Sequence, residues 1–164
     1  MTVRLIFGSS GHLDALMGVV NDSFDPRFGE GWSRSQLAGA LAIEPNFTRL
    51  AIGEDGCLGF SLCRAAGPEV EVLLIAVRPT GRGQGVGGRL LDAAIADAGL
   101  RGAEDVFLEV RENNDTARRL YRSRQFEDVG RRFEYYTGGH GIRFDAVTMR
   151  RSVAADRTTG SAAS

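Results

Sequence analysis

Polar and apolar residues alternate at Val3, Leu5 and Phe7, which predicts a first strand over residues 2–7. After Ser9-Ser10-Gly11, the period changes. Leu13, Leu16, Met17, Val20 and Phe24 share one face of a helix that Asp25-Pro26 ends. Residues 27–32 read as a loop. Ser33-Arg34-Ser35-Gln36 has the form of a capping box, with Trp32 and Leu37 at the two staple positions, so a second helix starts here and stops before Pro45. Two strand-like runs, 47–53 and 57–65, flank Glu54-Asp55-Gly56 as a hairpin, and a buried strand follows over 70–77. Val86, Leu90, Leu91, Ala94, Ile95 and Ala98 return to helical spacing. A fifth strand covers 106–110 and a fourth helix 116–124. Residues 131–136 and 143–150 close the chain as a hairpin through Gly138-Gly139-His140-Gly141, where His140 has no ligand partner at metal spacing.

This pattern predicts one α/β (mixed α+β) domain over residues 1–151, with about seven strands and four helices, and a frayed tail rich in Ser, Thr, Ala and Gly over 152–164. A chain of 164 residues suits a single core. Net charge of −1 gives no electrostatic case for nucleic acid or for a membrane surface. No apolar run reaches the length of a membrane span, and the first residues go straight into alternation, so the expected location is cytoplasmic. Cys57 and Cys63 stand six apart on one strand, hence on one face and about 20 Å from each other, too far for a disulfide. They are expected to be buried free thiols, and no metal site is expected.

Chemistry concentrates where the fourth strand ends. Arg78-Pro79-Thr80-Gly81-Arg82 leads into Gly83-Gln84-Gly85-Val86-Gly87-Gly88, which holds four glycines in six residues at a helix N-terminus. Glycines let backbone N–H groups approach an anion, and the helix end adds unpaired donors and partial positive charge. Arg82 could add a bidentate contact. Gly83-x-Gly85-x-x-Gly88 satisfies the dinucleotide fingerprint formally, but five residues separate it from its strand and too little chain follows for a doubly wound sheet. A P-loop needs a Lys after its last glycine, and every basic residue here is Arg. The lack of Lys also excludes Schiff-base chemistry.

Arg82-Gly83-Gln84-Gly85-Val86-Gly87 resembles the (Arg/Gln)-x-x-Gly-x-(Gly/Ala) motif of the GCN5-related N-acetyltransferases (the GNAT superfamily), whose loop holds the pyrophosphate of acetyl-CoA. Leu108-Glu109-Val110-Arg111-Glu112-Asn113-Asn114, continuing to Leu120-Tyr121 and Phe126, resembles the corresponding segment of the RimI-type ribosomal-protein-alanine N-acetyltransferases. Trp32-Ser33, Arg131-Arg132 with Tyr135-Tyr136, and Asp145 to Met149 are similar to further parts of that family, so the resemblance runs from about Trp32 to Arg150. It departs at Gln125, where the family has Gly. A non-Gly residue in a left-handed helix cap costs roughly 1–2 kcal/mol, or else the helix ends differently.

Taken alone, Glu109 in mid-strand reads equally as the mark of an edge strand or of a Glu109–Arg pair on a wet face, or as a general base with a raised pKa. Tyr121 reads as a core aromatic whose phenol needs a partner. Trp32 is explained by its staple position, with acceptor contact as a second reading. The arginines from Arg111 to Arg132, interleaved with Glu112, Asp115, Glu127 and Asp128, read mostly as a solvated face.

The resemblance implies more. Strands four and five splay apart in a GNAT fold, and acetyl-CoA enters between them. Ile75, Ala76 and Val77 would meet the cofactor with their backbone, residues 82–88 its pyrophosphate, and Asn114 its pantetheine arm. Glu109 would act as base and Tyr121 as acid, in direct transfer to the α-amino group of a protein N-terminus, possibly of a ribosomal protein. One or two arginines would meet the 3′-phosphate. The alternatives are a small amine or another protein as acceptor, or an acetyl-CoA-binding partner protein without turnover. The protein is expected as a monomer or weak dimer.

Overall fold

The computed structural model describes residues 2–153. A seven-stranded mixed sheet runs in the order β1-β2-β3-β4-β5-β7-β6. The strands are β1 (Arg4–Phe7), β2 (Phe47–Gly53), β3 (Gly56–Ala66), β4 (Glu69–Val77), β5 (Asp105–Arg111), β6 (Glu127–Thr137) and β7 (Arg143–Ser152). The helices are α1 (Leu13–Ser23), α2 (Arg34–Ala42), α3 (Val86–Leu100) and α4 (Asp115–Ser123). Only β4 and β5 pair in parallel, joined by α3. A doubly wound sheet is thereby excluded.

Each face of the sheet has its own core. Leu16, Val19, Val20 and Leu37 from α1 and α2 pack on Leu50, Phe60, Leu62 and Leu74. On the other face, Leu91, Ala94, Ile95 and Ala98 of α3 pack on Val72, Val106, Leu108 and Met149. The strict periodicities that predicted these elements are the residues that fill the two cores.

The capping box at Ser33 forms as read, with the Gln36 N–H donating to Ser33 Oγ (3.1 Å) and the Ser33 N–H to Gln36 Oε1 (2.8 Å). β6 is longer than the predicted 131–136. Glu127–Gly130 carry no alternation because this edge strand is exposed along nearly all its length. At the other end, β7 reaches Ser152, and the buried Val153 donates its N–H to the Glu104 carbonyl (2.8 Å). Of the tail expected over 152–164, the part from 154 on lies outside the described residues.

One reading is corrected. Cys57 and Cys63 do not share a face: Cys57 packs with the α1–α2 core and Cys63 lies in the α3 core. A bulge explains it. Ala51 pairs Gly59 and Ile52 pairs Cys57, so Leu58 is an extra residue that reverses the parity of the strand. Both thiols are free, and burial raises both, Cys63 to about 12.

The feature that organises the rest is the seam between β4 and β5. Four register pairs join them, Glu69 with Asp105 through Val72 with Leu108. Past that point the strands part, and β5 continues on β7 as far as Arg111 opposite Ala146.

Candidate active site

A cleft of about 690 Å³ opens where β4 and β5 separate. Ile75, Ala76 and Val77 form one wall. Asn114, Ala117, Leu120 and Tyr121 form the opposite one, and Arg82, Gly83, Gly85, Val86, Gly87 and Gly88 form one end. Of the residues singled out from the sequence, these line the cleft. Gln84 does not; its Nε2 donates to the Thr80 carbonyl at 3.0 Å. Nor do Trp32, which packs against the core containing Leu37, or Glu109.

The glycine loop has the build of an anion cradle. A 3₁₀ turn, Pro79–Gly81, follows β4, and α3 then starts at Gly85, whose φ of 75° favours glycine. No side chain caps α3, so its first N–H groups are left for the cleft. A Cβ on Gly83 or Gly85 would point into open space, so nothing of the protein covers the backbone there. This donor set fits a pyrophosphate. Arg82 donates from Nη2 to the Ser23 carbonyl (3.0 Å), at the C-terminus of α1.

Asn114 is the N-cap of α4. Its Oδ1 accepts the Ala117 N–H (3.2 Å), which leaves the carboxamide NH₂ as the group available to the cleft. Tyr121 lies two turns on. Its helix ends with Gln125 at φ 69°: the Gln125 N–H reaches the Arg122 carbonyl (3.0 Å) and the Phe126 N–H reaches the Tyr121 carbonyl (3.1 Å). That is a Schellman ending, with Gln125 in the place a glycine usually takes. The Phe126 ring meets the Tyr121 ring at 6.1 Å between centroids. Burial, and then the Glu30 carboxylate, push the Tyr121 phenol up to about 12, so it stays protonated across the neutral range.

Glu109 sits one pleat behind the cleft-lining Arg111, on the same face of β5. Its side chain is 16% exposed and paired with Arg132 Nε at 2.9 Å. Burial raises its pKa above the ordinary carboxylate value, Arg132 pulls it down, and Glu71 pushes it up. Glu109 is thus an ion-paired carboxylate whose pKa is raised, on a strand inside the sheet and not at its edge.

Three residues that line the cleft, Arg111, Glu30 and Phe28, do not stand out in the sequence as parts of a site. Arg111 reads from the sequence as part of a solvated arginine face, and the structure corrects this: it is buried. Its Nε donates to Glu30 Oε1 at 2.8 Å, and its guanidinium stacks 3.6 Å from the centroid of the Phe28 ring. Glu30 and Phe28, from the loop between α1 and α2, line the cleft with it. Tyr136 does not line the cleft; burial raises the pKa of its phenol, and Glu30, Glu109, Tyr135 and Tyr121 add to that rise. The Arg111 position between an acid-rich loop and a strand end carried no periodic signal. Tyr136 was visible only as half of a Tyr-Tyr pair.

Among the described residues, no three His, Cys, Asp or Glu side chains are grouped to hold a metal ion. No helix among the described residues is long and apolar enough to cross a membrane.

A mixed sheet splayed at a parallel pair, with a glycine-lined helix N-terminus at one end of the gap, forms a cleft fit for an anionic ligand. The profile of the acetyltransferase (GNAT) family matches residues 14–126, and the chain belongs to that family of acyltransferases. The [ribosomal protein bS18]-alanine N-acetyltransferase of Haemophilus ducreyi is 32% identical over 121 residues, 72% of this chain and 81% of that protein. The N-alpha-acetyltransferase RimI of Mycobacterium tuberculosis is 47% identical over 83 residues, 51% of this chain and 49% of that protein. The crystal structure of the ribosomal-protein-S18-alanine N-acetyltransferase from Escherichia coli superposes with a TM-score of 0.83 at 25% identity, over 93% of this chain and 94% of that one.

Proposed function

We propose that this protein moves an acetyl group from acetyl-CoA directly to the α-amino group of a protein N-terminus. The N-terminal alanine of a small-subunit ribosomal protein is the acceptor we favour. The observation that carries the reading is the cleft itself: an uncapped glycine-rich helix start at one end, with an ionisable carboxylate and a protonated phenol brought near its far wall. The names of the relatives in Haemophilus ducreyi and Mycobacterium tuberculosis supply the acceptor class.

Acetyl-CoA, when bound, supplies an activated thioester. In this reading, the N–H groups of residues 86–88 hold its pyrophosphate, and the Asn114 carboxamide and the backbone of Ile75 to Val77 align its arm. An incoming ammonium cannot attack until it loses a proton. Glu109 takes that proton, directly or through water, and its raised pKa makes it a better base than an ordinary carboxylate. An α-amine has a pKa of about 7.7–8.0 against about 10.4 for Lys, which favours the N-terminus near neutrality. Tyr121 holds a proton beside the departing sulfur. At about 12 its phenol lies above a free thiol at about 8.5. Full transfer is therefore uphill unless the same buried surroundings also raise the thiol, and the phenol acts first as a hydrogen-bond donor.

The test is to mix the purified protein with acetyl-CoA and a short peptide beginning with Ala, following peptide mass and thiol release. One acetyl gained on the α-amine, absent when the N-terminus is blocked, supports the reading. Acetyl-CoA binding with no transfer to this or any other α-amine would sink it. Tyr121→Phe should lower kcat about 10²–10⁴-fold with acetyl-CoA binding kept; single-turnover kinetics check it.

A further inference from the structure

β6 and β7 lose register between Arg132 and Tyr136. Arg132 pairs Ala146 and Tyr136 pairs Phe144, so Phe133, Glu134 and Tyr135 stand opposite Asp145 alone. The bulge is held by side chains. Asp145 Oδ1 accepts the Glu134 N–H (2.9 Å) and its Oδ2 accepts Arg131 Nη1 (2.7 Å). Glu112 accepts the Asp145 N–H (3.2 Å) and the same Arg131 nitrogen (3.1 Å). Glu134 takes φ 52° to close the turn. Arg132, the last residue before the bulge, reaches over to β5. Its Nε lies 2.9 Å from Glu109 Oε1, and its guanidinium 5.2 Å from the Tyr135 ring centroid.

The two ends of this pair differ. Glu109 is 16% exposed and Arg132 60%. The guanidinium can leave the carboxylate for water easily, whereas the carboxylate cannot follow. From β4, Glu71 acts on Glu109, and Glu71 is itself paired with Arg64. From β6, the Tyr136 phenol faces it as well. The β7 partner in register is the uncharged Thr148. On its own strand the nearest cation is Arg111, whose charge is taken by Glu30, so Arg132 is the cation paired with Glu109 itself.

We propose that Arg132 is a positioning residue for the base: it keeps Glu109 ionised and aligned, then gives up its place to the ammonium of the acceptor. The inference rests on Glu109 being the base. Arg132 keeps its own charge throughout. The acceptor's N–H bond breaks, a Glu109 O–H bond forms, and the nitrogen lone pair becomes free to attack. Without that guanidinium the carboxylate would hold a proton to higher pH than it does with it. An exposed guanidinium prevents this while remaining replaceable by a second cation.

The experiment compares the wild-type chain with Arg132→Gln, Arg132→Lys and Glu109→Gln. Protein labelled with ¹³C at the Glu carboxyls is titrated by NMR, and the Glu109 signal is the one missing from Glu109→Gln. The expected result is a Glu109 midpoint that moves to higher pH in Arg132→Gln and returns toward wild type in Arg132→Lys. The acidic limb of kcat/KM should move the same way, each unit of movement costing about tenfold in rate well below the limb. A midpoint and limb left in place by Arg132→Gln would overturn the proposal. So would a loss of rate equal at every pH, the mark of a merely structural residue. Failure of the underlying reading looks different: Glu109→Gln would then turn over like wild type, whatever the titration of Glu109 did.

Discussion

Gln125 stands at φ 69° with both Schellman hydrogen bonds made, so α4 keeps the ending a glycine would give it and bears the strain of a Cβ in the left-handed region. Gln125→Gly should raise unfolding free energy by up to about 1 kcal/mol, the relief of strain exceeding the entropy glycine loses on folding. Urea denaturation checks it, with kcat as the control. The site's other strained group is electrostatic. Glu109 has a folded pKa above its unfolded one, so the folded chain holds this proton more tightly than the unfolded chain does. Its stabilising contribution is present below the ordinary carboxylate value and is lost as pH rises toward the folded value. Glu109→Gln should therefore melt higher than wild type at neutral pH, and the difference should vanish in acid. Thermal melts from pH 4 to 8 measure it, and a mutant less stable than wild type at pH 7 would refute the sign. Glu109, Asn114 and Tyr121 stand out in the sequence through a gapless match to the family's segment, and of these Asn114 and Tyr121 line the cleft. Arg111 was not legible as part of the site, because nothing in one strand says that a loop carboxylate some eighty positions earlier will bury its charge.

At the scale of elements, two connections touch beside the cleft. The loop after α1 and the turn between β6 and β7 meet backbone to backbone. A Cβ on Gly138 would collide with the Arg27 carbonyl, and one on Gly29 with the Thr137 carbonyl. Phe28 and Phe144 pack edge to face at 5.5 Å beside this seam, and the Arg111 guanidinium lies over the Phe28 ring. The sequence marks residues 27–32 as a loop and Gly138-Gly139-His140-Gly141 as a hairpin turn. Their contact was not legible, since it depends on how β5, β6 and β7 bring the two ends of the chain together. The same holds for the Leu58 bulge and the bulge at residues 133–135: pattern reading assumes unbroken pleats, and one extra residue reverses every later position. Gly138→Ala tests the seam with little backbone strain, because φ at Gly138 is −87°. It should raise the KM for the peptide acceptor several-fold and leave acetyl-CoA affinity unchanged. Steady-state kinetics on the peptide, with calorimetry on the cofactor, separate the two. An equal loss of both would mean that the seam supports the whole cleft rather than the acceptor side.

The molecule as a whole is two packed halves on one sheet, and the join between them is short. β1 to β4 carry α1 and α2, while β5 to β7 carry α4, with α3 crossing from one half to the other. Four register pairs hold β4 to β5. The cleft that opens beyond them is lined from both halves, by Ile75 to Val77 on one side and Asn114 to Tyr121 on the other. A ligand bound along that gap completes a join the backbone leaves open. It binds the folded chain alone, because its walls do not exist in the unfolded one. Acetyl-CoA at a hundred times its Kd should then add about 2.7 kcal/mol, and a chain of this size should melt roughly 5–11 °C higher. Hydrogen exchange locates the effect. Protection should rise at Leu73 to Val77, at Val86 to Gly88 and along the start of α4, and hardly change in β1 or at the β6 edge. A ligand-dependent melting shift without protection at the seam would place the cofactor elsewhere. The splayed strands would then need another reason to part.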